Sequence, residues 1–469
     1  MAFLIVCVAI ALTTLAYGTV HSWALGIFAV SAAALVCLWV LDGLVLGSVM
    51  LPANPLQWPL LGLIVVGLVQ LLPLRTPSDA GLSLSPVRSI SLDPYTTRLV
   101  LVQVAALMIY FAVVTVFVDT PRRLKALVRM ITIFGFLLAI FGLTQSFTGD
   151  GSRVYWFRQL TQSTAFGPFI NRHHFAAFME LAVAIPFGLL ASGAVESYKR
   201  PLYAFAAVVM AMSLVATNSR GGILSLGAEI FFVVVFAGVS WRKQKKEQPR
   251  SQRIRATLLR AALAIALVLV SIGGALILSG PEVFTRFLGT PVAEDPTTGR
   301  AYFWSTTLNV IRDYPVLGSG LGSLGVIYTR YDTRNGFYRL EQAHNDYLQT
   351  FSDAGVVGAV IGLAFIVILF RRGFARRETH DKFRAAVTTG ALAGCFAVLV
   401  HSLFDFTLHT TANALLFLIV AAIATQDTRV NTTHDFRQRR RRSRSKQTQS
   451  SDQAVPATPE VAGTVSVST

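Results

Sequence analysis

The sequence predicts an all-α polytopic membrane protein with about twelve transmembrane helices and one large outer loop. Three observations carry that prediction. Of 469 residues, 53% are hydrophobic and only 14% charged, with mean hydropathy +0.57; soluble domains carry about a quarter charged residues. Apolar runs close to the ~20 residues that cross a bilayer recur along the chain. The alternating short segments of a transmembrane barrel are missing.

The predicted spans lie near 2–18, 23–42, 57–74, 97–118, 124–146, 174–193, 201–217, 222–240, 258–279, 355–370, 386–405 and 411–426. The first could be a signal peptide. It has no basic residue ahead of its apolar run and no convincing cleavage site, so a retained helix is expected. The net charge of +17 comes from 41 Lys+Arg against 24 Asp+Glu. In a soluble protein such a balance would point to nucleic acid. Here the basic residues fall in short connections: PRRLK at Pro121–Lys125, Lys199–Arg200, Trp241–Arg255 and Arg371–Arg384. They alternate with the remaining loops, so the positive-inside rule makes them cytoplasmic and puts both termini inside. Nucleic acid is not expected as a partner. The connection 43–56 has no basic residue and is the weakest boundary.

The transmembrane region is therefore 1–426. Residues 427–469, rich in Arg, Ser, Thr and Gln, read as a disordered basic cytoplasmic tail. Cys7, Cys37 and Cys395 lie in apolar spans with no CxxC spacing, which suggests neither a disulfide framework nor a zinc site.

The outside loops hold most of the polar motifs. The longest, 280–353, exceeds the length of a passive connector. Asn218-Ser219-Arg220-Gly221-Gly222 sits at an outer mouth, where Ser219 or Asn218 can cap the next helix. The free N–H groups of that helix favour an anion, and Arg220 adds a planar fork suited to phosphate. A tight turn with a snorkelling arginine is the plainer reading. Arg300 precedes Tyr302, Phe303 and Trp304, which suit an interfacial aromatic belt. Gly318, Gly320 and Gly322 read as a Pro/Gly-built turn. No strand or βαβ unit accompanies them, which rejects a dinucleotide fingerprint.

Glu341 to Gly355 (EQAHNDYLQTFSDAG) packs polar residues against an apolar span. Read as helix, His344, Tyr347 or Leu348, and Phe351 share one face. An unbroken helix to Phe370 sets His344 about 26 residues, or ~40 Å, from the inner end. The hydrocarbon takes ~30 Å of that, so His344 stands near headgroup level. A histidine there can act as general base, or it can simply bond Asp346 or a loop carbonyl. Asn171-Arg172-His173-His174 opens a span on the outer side. Neighbouring histidines point to different helix faces and chelate poorly, so polar lining or headgroup contact is expected. His401 and Asp405, four apart, are expected to share a face as their helix leaves the membrane.

The ordered set NRHHFA, NSRGG, GR…W…DYPVLGSGLG, HNDYLQ…DAG and HSLFDF resembles the O-antigen ligase and polymerase superfamily (the Wzy/WaaL type), from about Asn171 to Asn413. The resemblance implies a bacterial inner-membrane glycosyltransferase of the GT-C type, with 280–353 a periplasmic loop. A glycan on undecaprenyl diphosphate would be the donor, and a glycan, lipid A–core or protein hydroxyl the acceptor, amid membrane lipids. It implies that Arg220 and Arg300 hold the diphosphate, and that His344 is the base with Asp405 the late acidic residue. Arg172, His173, His174, Asn345, Tyr347 and His401 would be lining candidates. It implies no cofactor and no metal, and the sequence shows no clean metal-ligand spacing. The set does not separate ligase, polymerase and protein O-oligosaccharyltransferase. A transporter or flippase for the lipid-linked glycan is the rival from another class. It would be expected to carry deep charges or inverted repeats; few such charges and no repeat are apparent in the sequence.

Overall fold

The computed structural model describes residues 1–74, 89–160, 163–244, 300–336, 339–379 and 381–426. The predicted span 258–279, the first part of the large loop (280–299) and the basic tail lie outside them. Every other predicted span is a helix. In chain order these are α1 (Ala2–Leu15), α2 (Ser22–Leu46), α3 (Gln57–Gln70), α4 (Pro94–Phe117), α5 (Pro121–Thr148), α6 (Arg172–Ala191), α7 (Arg200–Ala216) and α8 (Arg220–Gln244). Beyond the undescribed stretch follow α9 (Arg300–Asp313), the single turn α10 (Leu324–Ile327), α11 (Asp346–Arg377), α12 (Lys382–His401) and α13 (Thr411–Thr425). A two-stranded hairpin, β1 (Arg153–Val154) and β2 (Arg158–Gln159), stands between α5 and α6. Among the described residues, seven helices are long and apolar enough to cross a membrane, whereas α1, α3 and α13 are apolar but shorter.

Helix starts follow local chemistry. Asp93 caps α4 through the Thr96 N–H and Thr120 caps α5 through the Arg123 N–H, each with proline at the first helical position. Asn171 caps α6, Asp381 caps α12, and Ser219 accepts from the Gly222 N–H. The centre of the bundle is α6, whose residues 174–189 are all buried. It meets α12 closely: a side-chain carbon on Gly188 would stand 2.5 Å from the Gly390 nitrogen, and one on Gly394 2.8 Å from Ala184 Cβ. Small residues spaced GxxxG are a means by which membrane helices bring backbones together.

Side-chain ties define two ends. At one, Asn54 bonds Thr425, Arg372 bonds the Thr425 carbonyl, Arg377 bonds the Phe236 carbonyl, and Lys125 lies over Phe383. These ties gather the basic connections 121–125 and 371–384 with the uncharged 43–56. At the other end, the turns that open α6 and α8 meet the segments flanking α9, α11 and α12. Of the connections read as cytoplasmic, 43–56, 121–125 and 371–384 are thus tied together at one end; most of 241–255 lies outside the described residues.

α11 differs from the expected unbroken helix. It begins at Asp346, and Gly355 inside it has φ +62°, ψ −159°. A Cβ at Gly355 would lie 2.2 Å from the Val316 carbonyl oxygen, and one at Gly318 2.3 Å from the Asp353 carbonyl carbon. Only glycine permits both the conformation and the approach. The two motifs interlock here. Ser319 N–H donates to the Ser352 carbonyl, Val356 N–H to the Pro315 carbonyl, and Gly322 N–H to Asp353 Oδ2. Gln70 at the end of α3 completes the knot, donating to the Leu317 and Asp353 carbonyls and accepting from Leu321 N–H. The Pro/Gly turn is a docking element for α11.

Candidate functional site

Asp405 is the hub. It follows α12 in a tight turn, with the Phe404 and Asp405 N–H groups both closing onto the His401 carbonyl. Its carboxylate is 1% exposed and meets His344 Nδ1 at 3.2 Å, Arg300 at 3.3 Å and His173 Nδ1 at 3.7 Å. Burial alone would raise its pKa. His173, the His344 hydrogen bond and the Arg300 charge overcome that and hold the carboxyl well below the usual carboxylate range. Ionised, it accepts only, so Nδ1 of His344 carries the proton that faces it.

His344 is not helical, contrary to the sequence reading. It precedes the cap of α11 with φ +50°, in the left-handed region. That conformation costs a non-glycine residue about 1–2 kcal/mol. The neighbouring contacts that fix it are specific. Asn345 caps α11 through the Tyr347 and Leu348 N–H groups and donates to the Leu403 carbonyl. Asp346 N–H donates to the Ser402 carbonyl. The Asp346 carboxylate accepts from Ser402, Thr407 and the Leu408 N–H, and pairs with His409 Nδ1 at 2.7 Å. This clamp joins the turn 343–346 to the turn 402–409 and thereby brings His344 to Asp405. Rings orient the imidazole further. Phe303 stacks on it with centroids 5.6 Å apart, and Phe406 meets it edge-on at 4.9 Å.

A chain of polar contacts runs inward from His173. His173 Nδ1 lies 2.8 Å from Ser219 Oγ, which lies 3.4 Å from His401 Nε2. His401 Nδ1 pairs with Glu180 at 2.8 Å, both fully buried. The expected shared face of His401 and Asp405 is not formed. α12 ends at His401, and the following turn sends Asp405 toward the site while His401 faces Glu180 on α6. Glu229 on α8 is also fully buried, and neither of its oxygens has a hydrogen-bond partner among the described residues.

Of the residues singled out in the sequence, the structure joins Arg300, His344, Asp405 and His173 directly. Arg220 is exposed at the first residue of α8, next to Ser219. Arg172 opens α6 beside His173. Tyr347 donates to the Leu399 carbonyl; His174 is buried against Phe406 and bonds Thr410. Asn345 and His401 are buried too. Phe303 stands on His344 rather than in a lipid-facing belt. Sequence reading passed over Phe406, Glu180 and the clamping roles of Asp346, Ser402 and His409. The adjacency of Asp346 to His344 within HNDYL was the available signal; nothing local marks Glu180.

Among the described residues no group of three or more His, Cys, Asp or Glu side chains is arranged to hold a metal ion. Residues 205–363 match the family model Wzy_C, described as O-antigen ligase. That stretch carries Arg220, Arg300 and His344, and Asp405 lies beyond it. No curated protein matches the chain.

Proposed function

We propose, from the O-antigen ligase match over residues 205–363, that this membrane protein is a glycosyltransferase moving a glycan from undecaprenyl diphosphate to an acceptor hydroxyl on the outer side of the bacterial inner membrane, with both termini cytoplasmic. The observation that carries the reading is the His344–Asp405 pair with Arg300 on the same carboxylate.

Asp405 holds His344 with its proton on Nδ1. Nε2 takes the acceptor hydroxyl proton as the oxygen attacks the anomeric carbon. The new glycosidic bond forms as the bond to the diphosphate oxygen breaks, and undecaprenyl diphosphate leaves with the bonding pair. Attack opposite the leaving group inverts the anomeric centre. Arg220 and Arg300 stabilise the charge on the leaving diphosphate. A guanidinium has five N–H donors, so holding Asp405 does not exhaust Arg300.

Purified protein with lipid-linked donor and acceptor tests this. Transfer without an ion gradient is expected, and His344→Ala should lower its rate by about 10²–10⁴-fold. A His344→Ala variant that folds and transfers at the wild-type rate rejects the assignment. A carrier for the lipid-linked glycan is the second reading, favoured by Glu180, Glu229 and His401 buried within spans. Movement of the donor across the bilayer without transfer would support it. Extension of a lipid-linked chain, transfer to lipid A–core or transfer to protein separates polymerase, ligase and protein glycosylation.

A further inference from the structure

The connection between α5 and α6 contains a cleft of about 450 Å³ that the chemistry above does not use. Its lining includes Gln145, Thr148, Asp150, Arg153, Trp156 and Gln159. The volume lies within the roughly 300–1,000 Å³ of small-ligand pockets, but those are mostly apolar. This one is polar with a single large aromatic ring, which disfavours an apolar ligand and suits one rich in hydroxyls.

Three features indicate a built site. Gln145 is 5% exposed, and its amide N–H donates to the Arg153 carbonyl, tying the end of α5 to the hairpin. Trp156 has its indole N–H bound to Thr148 Oγ1 at 2.7 Å, and the residue remains 43% exposed. Tyr155 and Trp156 are consecutive non-glycine residues at φ +53° and +64°, within the turn that joins β1 to β2. Such strain persists only where surroundings over-determine it. Tyr155 supplies one anchor, donating to the Leu15 carbonyl, and Phe141 packs against both rings.

The cleft is on the same face as the candidate site. The connection leads directly into His173, and the Arg172 N–H is tied to the Thr164 carbonyl.

We propose that this cleft is a glycan-holding subsite in which a sugar ring lies on the Trp156 indole, with its hydroxyls toward the polar side chains of Asp150, Arg153 and Gln159. It rests on the transferase reading for its role and not for its binding chemistry. The sugar belongs either to the donor glycan or to the acceptor, and kinetics distinguish them. With the wild type active, Trp156→Ala should raise KM for one of the two substrates about two- to tenfold, with kcat changed less. Trp156→Phe, which keeps a ring face, should recover most of the loss. Unchanged KM for both substrates in folded, inserted Trp156→Ala overturns the subsite while leaving His344 untouched. An increase confined to the donor or the acceptor identifies the source.

Binding can also be read without turnover. Radiolabelled glycan released from the lipid-linked donor, together with radiolabelled acceptor, is dialysed to equilibrium against the purified wild type and the variants. Weaker binding of either by Trp156→Ala, with Trp156→Phe near the wild type, supports the subsite even if no transfer occurs. Equal affinities across the three proteins, for both probes, reject it. In that case Trp156 is an interfacial anchor only.

Discussion

Replacing Asp405 by asparagine keeps the shape of the hub and removes its logic. Oδ1 accepts from His344 Nδ1 and from the Phe406 N–H at 2.9 Å, while Oδ2 accepts from Arg300. A carboxamide offers one accepting oxygen and one donating NH₂. If its oxygen faces Arg300, the NH₂ faces Nδ1, which must then accept. The imidazole proton moves to Nε2 and the lone pair points away from the acceptor hydroxyl. If instead the oxygen faces His344, the NH₂ meets a guanidinium. That forfeits a hydrogen bond between charged groups worth about 1.5–3 kcal/mol, or roughly 10–150-fold. The first arrangement removes general-base catalysis, about 10²–10⁴-fold. Asp405→Asn is therefore expected to lower kcat at least about tenfold and as much as ~10⁴-fold, with KM changed much less. The assay is transfer kinetics at saturating acceptor, with thermal unfolding of the same preparations as a folding control. Asp405 stays ionised across the ordinary pH range, because its partners hold it below the usual carboxylate value. A folded Asp405→Asn protein with kcat within about threefold of wild type would refute the hub.

The arginines should differ from lysine in kind. Lysine keeps the charge but lacks the bidentate fork. Arg220→Lys and Arg300→Lys should each raise KM for the donor, alanine should be worse, and wild-type kinetics from either alanine variant removes that residue from the site. For His409, burial alone would lower the pKa, but the hydrogen bond and charge of Asp346 outweigh it and raise it. A raised group contributes stability that is full below the unfolded value, about 6.5, and is lost as pH rises through the folded value. The unfolding temperature should fall as pH rises above 6.5, and His409→Gln should flatten that slope; parallel slopes for both proteins count against the clamp. In a cysteine-free background, cysteines at Asn309 and Ser197 should be labelled by an impermeant reagent in intact cells only at 309. Labelling at 197 alone inverts the topology.

The helical spans were legible because an apolar run of membrane length has few other folded forms. Their interruptions were not. Gly355 breaks α11 because the Val316 carbonyl occupies the space beside it, a contact made by a segment far away in sequence. His344 was legible as a titratable group at a membrane edge, but not as a left-handed residue ahead of a cap. Asn345 competes for the helix start by bonding its own backbone two and three residues on. His401 and Asp405 misled for a related reason. Four-residue spacing implies a shared face only while the helix lasts, and this one stops at His401. Glu180 left no trace in the sequence, because its partner comes from α12, 221 residues away.

The interlock between residues 315–322 and 352–356 has an evolutionary consequence. Together with the 343–346 to 402–409 clamp, it anchors the chain on both sides of residues 324–342. That stretch is nevertheless no free insert: Leu324, Ile327, Tyr328 and Leu340 share a buried cluster with Val310 of α9 and with Ala343, and Phe303 packs against it. Variation in related chains is therefore expected at its exposed positions, such as Arg330 and Arg334, while the buried ones keep the register of α9 and of the turn that carries His344.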